Sequence, residues 1–267
     1  MYRLKPFGVL DGREVPLIEL FNDKCAVELL PCGAAVRAIR VPDRTNKLTD
    51  ICLGYDDLES YRTLDACFGG TIGRCANRIG GARFTIDGRG YRVTANEGEN
   101  CLHGGIEGFH KKLWEFTCEE NAVTFSYISP DGEEGFPGAV RVEVTYRLTG
   151  DRLTIAYKAA AEQSTVVNLT NHTYFNLGGH SSGTVEDHVL TLRASRYTPM
   201  DSGIFPWGRW RRWRERRWIS GHLRHLGAVS TIKPLTAGGD TTTTMSSMAK
   251  RALRRSCGAP PPASVWK

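Results

Sequence analysis

Val140-Arg141-Val142-Glu143-Val144-Thr145-Tyr146 alternates apolar and polar side chains without a break. That period puts four apolar residues on one face of a strand and leaves the other face to solvent. Val123-Thr124-Phe125-Ser126-Tyr127-Ile128 has the same period, and the segment between the two, Ser129 to Gly138, is rich in glycine and proline. Upstream the pattern recurs at Val15, Leu17, Glu19 and Phe21, at Ala26, Glu28 and Leu30, and from Val36 to Val41. Turn residues separate these runs at Asp23-Lys24, Pro31-Cys32-Gly33 and Asp43 to Asn46. Asp87-Gly88, inside Phe84 to Val93, is a two-residue hairpin signal. Parallel strands would need helical crossovers of about a dozen residues or more. The short turns here predict an all-β, antiparallel fold.

The chain has 267 residues and a mass of 29.6 kDa, enough for one sizeable core. No run approaches the length of about 18 apolar residues that a membrane helix needs, and no apolar leader precedes a cleavage site, so secretion and membrane spanning are not expected. The eight cysteines contain no Cys-x-x-Cys pair. They read as free thiols in a reducing compartment, which points to the cytoplasm, and no Cys/His cluster has metal spacing. The net charge of +6 conceals two compositions. Residues 1–202 hold 22 Lys/Arg against 27 Asp/Glu, whereas residues 203–267 hold 13 against 2.

Four stretches carry candidate chemistry. Asn168-Leu-Thr-Asn-His-Thr-Tyr-Phe-Asn-Leu177 follows a run with Leu153, Ile155, Tyr157 and then Val166 and Val167. It is expected to begin as a strand and leave the sheet near Asn171, placing His172 among amides and hydroxyls where an imidazole can titrate near neutrality. Gly69 to Gly80 contains Gly73-Arg-Cys-Ala-Asn-Arg-Ile79. It is no phosphate loop, because no Gly-Lys-Ser/Thr follows. Its arginines read either as solvated charges or as donors aimed at a ligand, and Arg78 has five fixed N–H groups to offer. Asn96-Glu-Gly-Glu-Asn-Cys-Leu-His-Gly-Gly105 ends in a histidine flanked by glycines, which serves a turn or lets a ligand approach the backbone. In Ser129-Pro-Asp-Gly-Glu-Glu-Gly-Phe-Pro-Gly138 the acids Asp131, Glu133 and Glu134 lack the oxygen spacing of a calcium loop and read as solvated turn residues.

Taken together, Gly73 to Ile79, Asn100 to Gly105, Ser129 to Gly138 and Asn168 to Leu177 resemble the aldose 1-epimerase (galactose mutarotase) family, over residues from about 10 to 203. The resemblance implies a large antiparallel β-sandwich of the galactose mutarotase type, working on carbohydrate as an isomerase. His172 would be the general acid toward a sugar ring oxygen, and His103 would bind the substrate beside the reacting ring. Asn77 and Arg78 would line the sugar site. The implied substrate is a free aldohexose such as galactose or glucose. No cofactor and no metal are implied, and no nucleic-acid or membrane partner is expected. Oligomeric state is not legible. Gly108 to Trp114 also follows the family pattern, except that His110 stands where an aspartate or asparagine is more usual, a change expected to lie outside the chemistry.

After Gly203 the character changes. Trp207, Trp210, Trp213 and Trp218 are interleaved with arginines, and the chain runs on through Thr241 to Thr244 and Pro260 to Pro262. Taken literally, the tryptophan spacing suits a membrane-surface helix or a nucleic-acid patch. The genetic code offers another reading. Threonine is ACN, so reading one base earlier turns a threonine run into codons ending in AC, which encode Tyr, His, Asn or Asp. Across Asp240 to Ser246 that shift permits Gly-Tyr-Asp-His-Asn-Tyr-Val, which resembles a family motif otherwise missing. The same shift over Trp213 to Gly221 permits another family-like stretch. Residues 1–203 are thus expected to be an incomplete mutarotase-like domain, and residues 204–267 an aberrant basic tail read out of frame, without native or ordered structure. Glu215 and Asp240 are the only acids after residue 202, and neither matches the family's substrate-binding aspartate or its general-base glutamate. A carbohydrate-binding or sensing protein without turnover is the alternative on the same fold.

Overall fold

The computed structural model describes residues 1–185, 188–190 and 196–199, with four short strands farther on, Arg211–Arg212, Trp218–Ile219, Thr241–Thr244 and Val265–Trp266. One sheet takes its strands in chain order: β1 (Tyr2–Leu10), β2 (Arg13–Phe21), β3 (Ala26–Leu30), β4 (Ala35–Pro42) and β5 (Leu48–Asp50). A six-residue helix, α1 (Leu58–Thr63), follows, its first turn capped by the Asp57 carboxylate, which accepts the Ser60 N–H at 2.8 Å. Next come short strands in the connection between sheets: β6 (Thr71–Ile72), β7 (Arg78–Ile79), β8 (Arg83–Ile86), β9 (Arg89–Arg92) and β10 (Cys101–Leu102). The second sheet is built from β11 (Glu115–Glu119), β12 (Ala122–Ser129), β13 (Val140–Thr149) and β14 (Arg152–Ala161), with Thr241–Thr244 pairing against β14. Finally β15 (Thr170–Asn171) pairs with β6.

All the strand pairings within each of these two sheets are antiparallel, as the turn spacing predicts. Val140, Val142, Val144, Tyr146 and Leu148 on β13 are buried, and Arg141 and Thr149 are exposed. They share one core with Ile18, Leu20, Val27, Leu29 and Val36 of the first sheet and Val123 and Phe125 of β12. Each such side chain contributes about 1.5–3 kcal/mol on burial, so this shared layer holds the two sheets face to face as a sandwich. Tyr146 lies fully inside it and donates its hydroxyl across the layer to the Ala34 carbonyl at 2.7 Å. The β8–β9 hairpin turns through Asp87 and Gly88, both at positive φ (49° and 80°), the conformation a two-residue turn of this type requires.

Of the three acids of the 129–138 loop Asp131 is exposed, as expected of a solvated turn residue, whereas Glu133 and Glu134 are half-buried, and all three carry hydrogen bonds. The Asp131 carboxylate accepts the Gly138 N–H. Glu133 accepts the hydroxyls of Ser129 and Tyr127 and pairs with Lys112 at 3.0 Å. Glu134 accepts the N–H groups of Ile106 (3.2 Å) and Glu107 (2.9 Å). Arg74, only 2% exposed, fastens the loop from inside. It donates to the carbonyls of Pro130 (3.0 Å), Pro137 (3.0 Å) and Gly138 (2.7 Å) and to Ser129 Oγ (2.6 Å).

His110 is buried, and its Nδ1 has no hydrogen-bond partner. Burial pushes its pKa down to about 4, helped by Lys111, His103 and His172 and opposed by Asp65. An unfolded histidine titrates near 6.5, so the unfolded chain takes up a proton between about pH 6.5 and 4 that the folded chain refuses. Stability is therefore expected to fall as pH drops through that window, by about 3 kcal/mol from this residue. His110→Asn should make the pH dependence shallower. Urea midpoints at pH 7 and pH 4.5 test this, and parallel losses in parent and variant would exonerate His110.

The seven cysteines among the described residues are free thiols. No helix among them is long and apolar enough to cross a membrane. Apart from the four short strands, the 204–267 segment with its tryptophans lies outside the described residues.

Candidate functional site

Two small ladders gather the motifs that lie far apart in sequence. Thr170 and Asn171 of β15 pair with Ile72 and Thr71 of β6, and Cys101 and Leu102 of β10 pair with Ile79 and Arg78 of β7. The Gly69 to Gly80 stretch thus has the His172 motif bound to its start and the His103 motif to its end. The Asn168 stretch does enter a strand that ends at Asn171, as expected, but as a partner of β6 rather than as an extension of β14. β14 stops at Ala161, and the chain crosses to β6 instead.

Asn171 sets the entry to His172. Its Nδ2 donates to the Gly69 carbonyl (2.7 Å) and to Tyr146 Oη (3.2 Å), and its Oδ1 accepts the Thr173 N–H (3.0 Å). The backbone of His172 is held on both sides, its N–H donating to Gly70 (2.9 Å) and its carbonyl accepting from Gly69 (3.1 Å). The His172 ring lies 5.2 Å from the His103 ring, edge to face at 83°, and 5.0 Å from Tyr174. Tyr174 is 42% exposed and leans on Phe68 at 5.3 Å. Burial lowers the His172 pKa from its usual value, against a smaller opposing effect of a backbone hydrogen bond. Among the described residues no carboxylate hydrogen-bonds either imidazole to offset this.

His103 sits in the left-handed region (φ 56°). The next residue, Gly104 (φ 92°), runs against the Gly73 carbonyl so closely that a Cβ would strike it. The His103 N–H donates to the Asn77 carbonyl (3.0 Å), and in return the Asn77 N–H donates to His103 Nδ1 (3.1 Å). With Nδ1 accepting, the proton of the neutral ring resides on Nε2, which is left to donate. A proton on Nδ1 would face another N–H and break that bond. Burial first, then the positive charges of His172 and Arg78, push the His103 pKa down to about 4. Both rings are thus disfavoured in the charged form, and for His103 the Asn77 N–H on Nδ1 adds a geometric reason to stay neutral.

Asn77 (φ 65°) spends its Oδ1 on the Arg78 N–H at 2.9 Å, leaving its Nδ2 available. Arg78 is not free toward solvent. Its Nε and Nη2 donate side-on to Glu97 at 2.6 and 2.5 Å, and this pairing holds the Glu97 carboxyl below its usual range. All four residues expected from the sequence are thus brought together. Glu97 and Tyr174 were missed. Both lie inside the quoted stretches, but an acid in a polar loop and an aromatic beside a histidine carry no spacing that marks them. No group of His, Cys, Asp and Glu among the described residues is disposed to hold a metal ion.

The family model described as Aldose 1-epimerase matches residues 16–233. The galactose mutarotase of Rattus norvegicus is 45% identical over 204 residues, covering 76% of this chain and 60% of that protein. That of Bos taurus is 44% identical over 199 residues, covering 74% and 58%. A crystal structure of an aldose epimerase homologue from C. elegans superposes with a TM-score of 0.71 at 33% identity, over 74% of this chain and 61% of that one. The chain therefore spans about 60% of the length of the curated relatives it matches.

Proposed function

Since the chain belongs to the aldose 1-epimerase family, we propose that its site binds a free aldohexose such as galactose or glucose and that it descends from an enzyme interconverting the α and β anomers. The observation that carries this reading is the edge-to-face His103–His172 pair, 5.2 Å apart, beside Asn77 and Arg78. In the reaction a carboxylate takes the C1 hydroxyl proton while an imidazolium protonates the ring oxygen. The ring opens, the C1–C2 bond rotates and reclosure gives the other anomer. His172 is the acid in this scheme, and His103, with Nε2–H fixed, donates a hydrogen bond beside the reacting ring. Asn77 Nδ2 and the remaining Arg78 donors suit sugar hydroxyls. Burial disfavours the charged form of His172, and the negative charge of a base carboxylate nearby would favour its holding a proton.

That base is what the amino acids after residue 202 do not supply in the family's pattern. We attribute its loss to a one-base shift near residues 203–207 and treat residues 204–267 as out-of-frame translation. Binding without turnover is accordingly the second reading for this chain. The free thiols support a reducing, cytoplasmic setting. Titrating the protein with galactose while following the imidazole resonances of His103 and His172 tests the site. Saturable shifts of both rings are expected, and none with galactose in large excess would overturn the assignment.

A further inference from the structure

Arg78 has five N–H donors. Glu97 takes two of them, Nε–H and one on Nη2, at 2.6 and 2.5 Å. Three are left, and the side-on pairing fixes the plane in which they lie. The arginine side chain is 14% exposed and the glutamate 38%, so the carboxylate stands on the solvent side and the guanidinium inside.

Glu97 is itself held. Its N–H and that of Asn96 both donate to the Asn100 carbonyl (3.1 and 3.0 Å), and the Asn100 N–H returns to the Glu97 carbonyl (3.0 Å). Asn100 Oδ1 accepts the Gly81 N–H at 3.1 Å. The Asn96 carboxamide spans the base of the loop, donating to Leu102 (2.9 Å) and Gly105 (3.0 Å) and accepting the Leu102 N–H (2.7 Å). One braced loop therefore presents both the carboxylate on Arg78 and the His103 ring.

We propose that Glu97 is a positioning residue of the sugar site: it clamps Arg78 side-on, aims the three remaining donors, and locks their placement to the loop that carries His103. The inference rests on the reading of this site as an aldose site. An exposed ion pair between flexible side chains is worth little. This one is bidentate, and its arginine is mostly buried.

Glu97→Gln and Glu97→Asp test it, with circular dichroism confirming that both fold. In the parent the Arg78 Nε–Hε resonance is expected to be shifted by the carboxylate and slow to exchange, and in Glu97→Gln to lose both properties. Galactose affinity, read from the His103 ring shifts, should fall roughly 5–20-fold in Glu97→Gln, the scale of removing one charge-assisted hydrogen bond. The loss should be smaller in Glu97→Asp, which keeps the charge on a shorter arm. Parent-like affinity and an unchanged Arg78 signal in Glu97→Gln would overturn the proposal while leaving the sugar site intact. No galactose response in the parent itself would instead sink the aldose reading, and with it any role for Glu97 there, whatever the Arg78 signal shows.

Discussion

Arg74→Ala is expected to destabilise the chain by about 3–5 kcal/mol, the scale of taking several charge-assisted hydrogen bonds away from buried acceptors. Domains of this size have roughly 5–15 kcal/mol in total, so the variant should be barely folded at 25 °C. The guanidinium lies among the carbonyls of Ser129, Pro130, Pro137 and Gly138 and the Ser129 hydroxyl. Alanine leaves those acceptors without these donors and opens a void between the loop and Gly73 to Cys75. The damage should spread, because the same loop holds Glu134, whose carboxylate receives the Ile106 and Glu107 amides just after the His103 turn. Urea unfolding gives the stability, and hydrogen exchange at those two amides gives the local effect. A loss under about 1 kcal/mol, the level of an ordinary surface substitution, would show that the wiring carries little of the fold. Lysine should not rescue, since one ammonium cannot reproduce a planar fork of donors.

The periodic parts of this molecule were readable because a strand with one face in a core must alternate. β12, β13 and the β8–β9 turn fall where the sequence put them. Non-local partners are different. Nothing in Asn168 to Leu177 says that Thr170 and Asn171 will pair with Thr71 and Ile72 rather than extend β14. The family resemblance supplied the candidate site residues, yet it could not supply their surroundings. The burial that lowers the His172 pKa, for instance, is set by tertiary packing. The hydrogen-bond partners of the acids in the 129–138 loop, Gly138, Tyr127, Lys112 and two amides near Gly105, were not legible because tertiary folding sets them. Glu97 escaped notice for the same reason, since its meaning lies in Arg78, nineteen positions earlier.

Freshly dissolved α-galactose is expected to mutarotate no faster with this 267-residue chain than in buffer, as followed by polarimetry. A version whose reading frame is shifted by one base near residues 203–207 should regain turnover. General acid or base participation is worth roughly 10²–10⁴-fold. In that restored protein His172→Gln is expected to lower kcat by a similar factor, roughly 10²–10⁴, with a smaller change in KM. His103→Gln should raise KM more than it lowers kcat. The asymmetry follows from Asn77, whose N–H occupies His103 Nδ1 and keeps that ring neutral, a donor but not a proton carrier. The reverse pattern, with His103→Gln abolishing kcat and His172→Gln mild, would exchange the two roles. Turnover by the unshifted chain that survives His172→Gln would remove both the frame argument and the assignment of the acid.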